Sequence, residues 1–154
     1  MNNQIPSQFT IRVYALITND QKEVLVTDEF QIDMKMTKFP GGGMHFGEGP
    51  IDCLKREMLE ECNQEIEDIR HFYTTDFFQA SAFNDNVQIM AIYYLVKFKV
   101  TPVILKLKEK KFDFPSNEHA EQIFRWIPLN KLNVEEFELP IDRVVVKMIK
   151  GQIL

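Results

Sequence analysis

Between Gly41 and Gln64 the chain reads GGGMHFGEGPIDCLKREMLEECNQ. Three consecutive glycines lead, past Glu48, into a segment that carries Glu57, Glu60 and Glu61. Carboxylates this dense suit two roles: solvated charge on a surface helix, or hard oxygen ligands for Mg²⁺ or Mn²⁺. The glycines add a second chemistry, because backbone carbonyls and N–H groups without side chains can closely approach a metal or a phosphate. With residues about 100° apart on a helix and Glu57 at zero, Glu61 falls near +40° and Glu60 near −60°. The three carboxylates then share one face. Leu54, Met58, Ile51 and Cys62 fall between about 60° and 140°, an adjoining apolar face that would pin the helix to a core. The glutamates alone fit a solvated acidic face as well as a cation site. The glycine loop and Glu48 shift the balance toward metal-assisted phosphate chemistry.

Several elements must position these groups. Pro50 suits the first turn of a helix with Gly49 as its N-cap, and Asn63 tolerates the left-handed conformation that stops one. Upstream, Phe9 to Thr18 reads as a strand closed by Asn19 and Asp20, and Lys22 to Thr27 as a second strand in a hairpin with it. Residues 28 to 38 read as loop. Further strands are expected around Arg70 to Thr75, over Val87 to Val100 and over Ile123 to Ile127, with loop at 79–86. The lysine-rich Thr101 to Ser116 reads as an edge strand plus loop. Pro140 to Lys150 forms a C-terminal helix with Gly151 just past its end. The expected fold is one α/β domain over residues 1–154, a mixed sheet flanked by helices.

Composition narrows the function. The 154 residues carry 18 Lys+Arg against 23 Asp+Glu, a formal charge of −5, so stable nucleic-acid binding is not expected. The same charge repels a polyphosphate unless divalent cations reverse the local field. No apolar run reaches transmembrane length and no secretory signal is visible, which points to a cytoplasmic protein. Cys53 and Cys62, nine residues apart on the expected helix, stand about 13 Å apart along its axis, too far for a disulfide.

The spacing Gly42, five residues, Glu48, seven residues, Arg56-Glu57-Met58, one residue, Glu60-Glu61 resembles the signature box of the Nudix (MutT-like) hydrolases, G-x5-E-x7-R-E-U-x-E-E-x-G-U with U a bulky aliphatic residue. Asn63 and Gln64 stand where that pattern has glycine and an aliphatic residue. The preceding FPGG, the flanking strands and the later Arg125-Trp126 add to the resemblance. It implies a Nudix-type α/β/α sandwich that hydrolyses a phosphoanhydride bond in a nucleoside diphosphate linked to another group, with Mg²⁺ or Mn²⁺. It also implies roles. Glu60 and Glu61 would ligate metal, Glu57 would ligate metal or act as base, and the Gly42 carbonyl would complete the shell. Glu48 and Arg56 would support the cluster.

A further carboxylate is expected from Glu118 or Glu121, and Phe77, Phe78 and Phe83 are candidates for stacking on a nucleobase. The proline marker of ADP-ribose-cleaving members, the tyrosine of those acting on dinucleoside polyphosphates, and the NADH and coenzyme A motifs are all absent. The substrate class therefore stays at an NTP, a nucleotide sugar or an ADP-ribose-like compound. Dimerisation is common in the family. The competing reading is a Nudix-like nucleotide sensor that binds without hydrolysis. Such sensors tend to lose box carboxylates, and all three are present here. A purely structural acidic helix would leave the box spacing as coincidence.

Overall fold

The computed structural model describes residues 5–104, 106–115 and 121–152. Strands β1 (Gln8–Ile17), β2 (Glu23–Gln31), β3 (Met34–Lys38) and β4 (Gly41–Gly43) precede helix α1 (Pro50–Cys62). Strands β5 (Ile66–Thr74), β6 (Val87–Phe98) and β7 (Glu121–Pro128) follow, then two short 3₁₀ turns and helix α2 (Pro140–Gly151). The strands divide into two sheets, β4-β1-β6-β5 and β3-β2-β7. Among the described strands, β1 and β6 are the pair that runs parallel, with Val13 opposite Ile92.

The later half of β1 and most of β2 are buried on both faces, and alternation along the strands makes the sandwich. On β1, Val13, Ala15 and Ile17 pack toward α1 with Leu25, Leu54, Met58 and Phe124. The intervening Tyr14 and Leu16 pack with Tyr93, Phe39, Phe137, Val145 and Ile149 on the α2 side. Helix is thus laid on sheet from both sides, as the sequence implies.

Three local expectations are corrected. The first two strands do not form a regular hairpin: a single bridge joins Thr18 to Val24, after which β1 and β2 enter different sheets. Residues 28–38 are not loop, because β2 continues to Gln31 and returns as β3 through Ile32 and Asp33, both at positive φ (47° and 60°). Such two-residue turns ordinarily advertise themselves with Asn or Gly, and Ile-Asp does not. In the described part of the lysine-rich segment no strand forms, and Leu107–Phe124 is an isolated bridge to β7. Cys53 and Cys62 are free, buried thiols, as expected, and burial pushes them up to about 11 and about 12.

Candidate active site

Helix α1 starts where the sequence places it. Gly49 is its N-cap, Pro50 opens the first turn, and the Asp52 carboxylate accepts the Gly49 N–H at 2.9 Å. It ends at Asn63, left-handed at φ 51°, whose successor Gln64 donates its N–H to the Met58 carbonyl at 3.3 Å. Leu54, Met58 and Cys62 are buried as the helical wheel requires, but Ile51 at the first turn is 44% exposed.

The glycine strand lies along β1, Gly42 opposite Val13, and faces the acidic side of α1. A Cβ on Gly42 would stand 2.5 Å from the Glu57 carboxylate carbon, so only glycine admits that side chain here. Gly41 donates its N–H to Glu61 Oε2 at 3.1 Å. Arg56 gathers the rest. Its Nε pairs with Glu48, and one terminal nitrogen reaches Glu57 at 2.8 Å and Glu60 at 3.1 Å. The other reaches the Gly43 carbonyl at 2.9 Å and Glu48 Oε2 at 3.0 Å. The Arg56 bonds, joined by the His45 N–H, hold the Glu48 carboxyl down to about 2.

Glu57 and Glu61 line an open groove of about 330 Å³ with the three glycines, Arg12, Glu29, Lys38, Glu121 and Gln122. Burial pushes the Glu61 carboxyl up to about 7, Glu29 and Glu57 adding to the effect and Lys38 and Gln122 opposing it. Glu29, buried at 2% exposure, pairs with Lys38 at 3.0 Å and accepts from Gln122 at 3.2 Å. Glu29, Lys38, Arg12 and Gln122 were not legible as site residues. With β2 read as ending at Thr27, Glu29 and Lys38 fell in an apparent loop instead of on paired strands facing α1.

The other candidates are distributed unevenly. Glu60, its side chain 58% exposed, lies on the solvent side of α1 against Arg56 and does not line the groove. Glu48 is held outside it by Arg56. The Gly42 carbonyl accepts a long contact from the Cys53 thiol at 3.9 Å. Among the described residues no three acidic, histidine or cysteine side chains are gathered tightly enough to hold a metal as they stand. The carboxylates are drawn instead onto Arg56, Gln122 and the Gly41 N–H. The donor set still fits a hard divalent cation: it is all oxygen, Glu29 and Glu57 raise the proton affinity of Glu61, and glycine keeps the approach free of side chains.

Beside the groove lies a cavity of about 130 Å³ whose lining includes Tyr14, Met36, Gln79, Phe83, Ile89 and Leu139. Phe83 is thus part of the cavity lining. Phe77 and Phe78, in the loop after β5 ends at Thr74, do not line it. Glu121 reaches the groove, whereas Glu118 lies outside the described residues.

The description "NUDIX domain" matches residues 8–148. This chain belongs to the Nudix family. The Nudix match and a pyrophosphohydrolase relative make it an enzyme of the pyrophosphohydrolase class. That relative, an RNA pyrophosphohydrolase from Ruthia magnifica subsp. Calyptogena magnifica, is 27% identical over 90% of this chain and 80% of its own length. Among solved structures, one from a study of MutT from Aliivibrio salmonicida and Vibrio cholerae superimposes with a TM-score of 0.65 at 22% identity, covering 94% of this chain and 99% of that one. A MutT protein from Methanosarcina mazei gives 0.62 at 20% identity, covering 96% and 97%. These structures share the fold. Nudix hydrolases generally use divalent metal ions, and among the described residues of this one no helix is long and apolar enough to cross a membrane.

Proposed function

We propose that this Nudix enzyme hydrolyses a phosphoanhydride bond in a nucleoside diphosphate linked to another group, with Mg²⁺ or Mn²⁺, in the cytoplasm. The observation that carries the reading is the contact of Glu57 and Glu61 with the glycine strand across an open groove. Glu57, Glu61 and the Gly42 carbonyl would hold the ion, and Glu60 joins them by leaving Arg56. The ion supplies charge neutralisation on the diphosphate and lowers the pKa of an attacking water. Arg56 orients Glu57 through its 2.8 Å bond, and Glu48 orients Arg56 in turn. Glu57, if not a ligand, takes the proton from water at a carboxylate oxygen.

A second reading, a nucleotide sensor without turnover, is favoured by one feature: Arg56 already occupies both Glu57 and Glu60. Incubation with NTPs, ADP-ribose, nucleotide sugars, dinucleoside polyphosphates and RNA, with and without Mg²⁺ or Mn²⁺, separates the two. The hydrolase reading expects ion-dependent cleavage of one class, reduced roughly 10²–10⁴-fold in Glu57→Gln. Tight nucleotide binding without cleavage by any ion would establish the sensor.

A further inference from the structure

The described part of the lysine-rich segment lines no part of the groove, yet its end is fastened to strands that do. Asp28 on β2 is fully buried and accepts from Arg125 at 2.6 and 2.9 Å. The same carboxylate accepts the Thr37 hydroxyl at 2.7 Å and the Phe112 N–H at 3.1 Å. Glu138 accepts the Thr37 N–H at 2.6 Å on one oxygen and Lys111 Nζ at 2.8 Å on the other. Lys111 Nζ also donates to the Glu136 carbonyl at 2.6 Å. The Phe114 ring stacks on Phe112 at 6.0 Å and on Phe30 of β2 at 6.2 Å. Both carboxylates that hold Thr37 are thus completed by Lys111 and Phe112.

Thr37 precedes Lys38 on β3, the edge strand of its sheet. A ladder on one side only leaves the other side of such a strand to be fixed by side chains. Alternation turns the two residues to opposite faces. Thr37 points back to Asp28, whereas Lys38 points forward to Glu29 at 3.0 Å and into the groove wall. Lys38 is 7% exposed, so displacing it leaves the buried Glu29 without its cation. A bare carboxylate on that wall would repel an anionic phosphate compound. Lys111 and Glu138 are nearer the surface, with side chains 27% and 32% exposed. Once its cation is gone, a carboxylate at that exposure turns to water, and turning outward releases the Thr37 N–H.

We propose that Lys111 is a positioning residue for the groove: acting through Glu138 and Thr37, it keeps Lys38 on Glu29. The positioning itself is tested without turnover, and its kinetic consequence rests on the hydrolase reading. Brief acetylation of the folded protein, read by mass spectrometry, reports on Lys38 with the exposed Lys147 as reference. The buried Cys53 and Cys62 thiols, alkylated in parallel, report global opening. In Lys111→Met, Lys38 should label about tenfold faster than in the native protein, the scale of one lost charge-assisted hydrogen bond. Lys147 and both thiols should keep their native rates, because the opening is local. Lys111→Arg still donates to Glu138 and should restore the protection. Glu138→Ala should expose Lys38 equally, and adding Lys111→Met to it should change nothing more. For the compound cleaved in the Mg²⁺ or Mn²⁺ incubations, Lys111→Met should raise KM about tenfold with kcat changed less. A native protein without turnover would fail the hydrolase reading and leave the labelling to decide this one. Native Lys38 labelling in Lys111→Met, thiols that open together with Lys38, additive effects of the two substitutions, or an unmoved KM beside a reactive Lys38 would overturn it.

Discussion

At the scale of single residues, Gly42 matters because it has no side chain. The Glu57 carboxylate occupies the space that a Cβ would take, and Gly42 sits at ordinary φ, so the constraint is closeness rather than backbone strain. Gly42→Ala should therefore displace Glu57 while leaving β4 paired with β1. The expected result is a loss in kcat/KM of about 10²-fold, the cost of an ångström-scale misplacement, with the melting temperature within a few degrees of native. Undiminished turnover in a folded Gly42→Ala protein would show that Glu57 need not lie against the glycine strand. Gly42, Glu48, Arg56, Glu57 and Glu61 were legible because their spacing along one loop and one helix is local. Arg12, Glu29 and Gln122 were not, because β1, β2 and β7 bring them together only through pairing in two sheets.

At the scale of elements, α1 depends on how it stops. Asn63 is left-handed and its own N–H returns to the Leu59 carbonyl at 3.1 Å, which satisfies one of the open carbonyls at the helix end. Asn63→Ala should cost about 1 kcal/mol in urea denaturation, because a Cβ is disfavoured in this conformation without a side-chain amide to compensate. Asn63→Gly should match or exceed the native protein. Alanine as stable as glycine would mean that the helix end does not depend on this backbone geometry. The same reasoning explains the error over residues 28–38. A turn through Ile32 and Asp33 is held by the β2–β3 ladder, Phe30 opposite Lys35, not by its own residue types.

At the scale of the molecule, Asp142, like Glu61, is a buried carboxyl that couples stability to pH. It lies at the start of α2, 1% exposed, and accepts the Tyr93 hydroxyl at 2.8 Å. Burial pushes its carboxyl from 3.8 up to about 7, with Glu29 adding to the rise, while Tyr93, Lys38 and Arg12 oppose it. Below about pH 4 the side chain is protonated folded and unfolded alike. Between about pH 4 and pH 7 the folded protein keeps the proton that the unfolded chain releases, so stability falls as pH rises. The full effect is on the order of 4 kcal/mol, reached above pH 7. Asp142→Asn keeps an acceptor for Tyr93 and should melt several degrees above the native protein at pH 8, with no advantage at pH 4. Equal melting curves at both values would mean that Asp142 does not titrate across this range.

The family, the helix with its cap and stop, the carboxylates on one face and the apolar stripe beside them were all determined by the sequence alone. Each depends on residue types a few positions apart, within reach of helical periodicity and turn chemistry. Only the tertiary structure decided that the strands split into two sheets and that Glu60 turns to solvent. The same holds for Phe83 lining the cavity while Phe77 and Phe78 do not, and for Arg12 standing where cavity meets groove. Those outcomes follow from pairings between residues tens of positions apart, where the alternatives share one local pattern and differ only in which surfaces end up buried against each other.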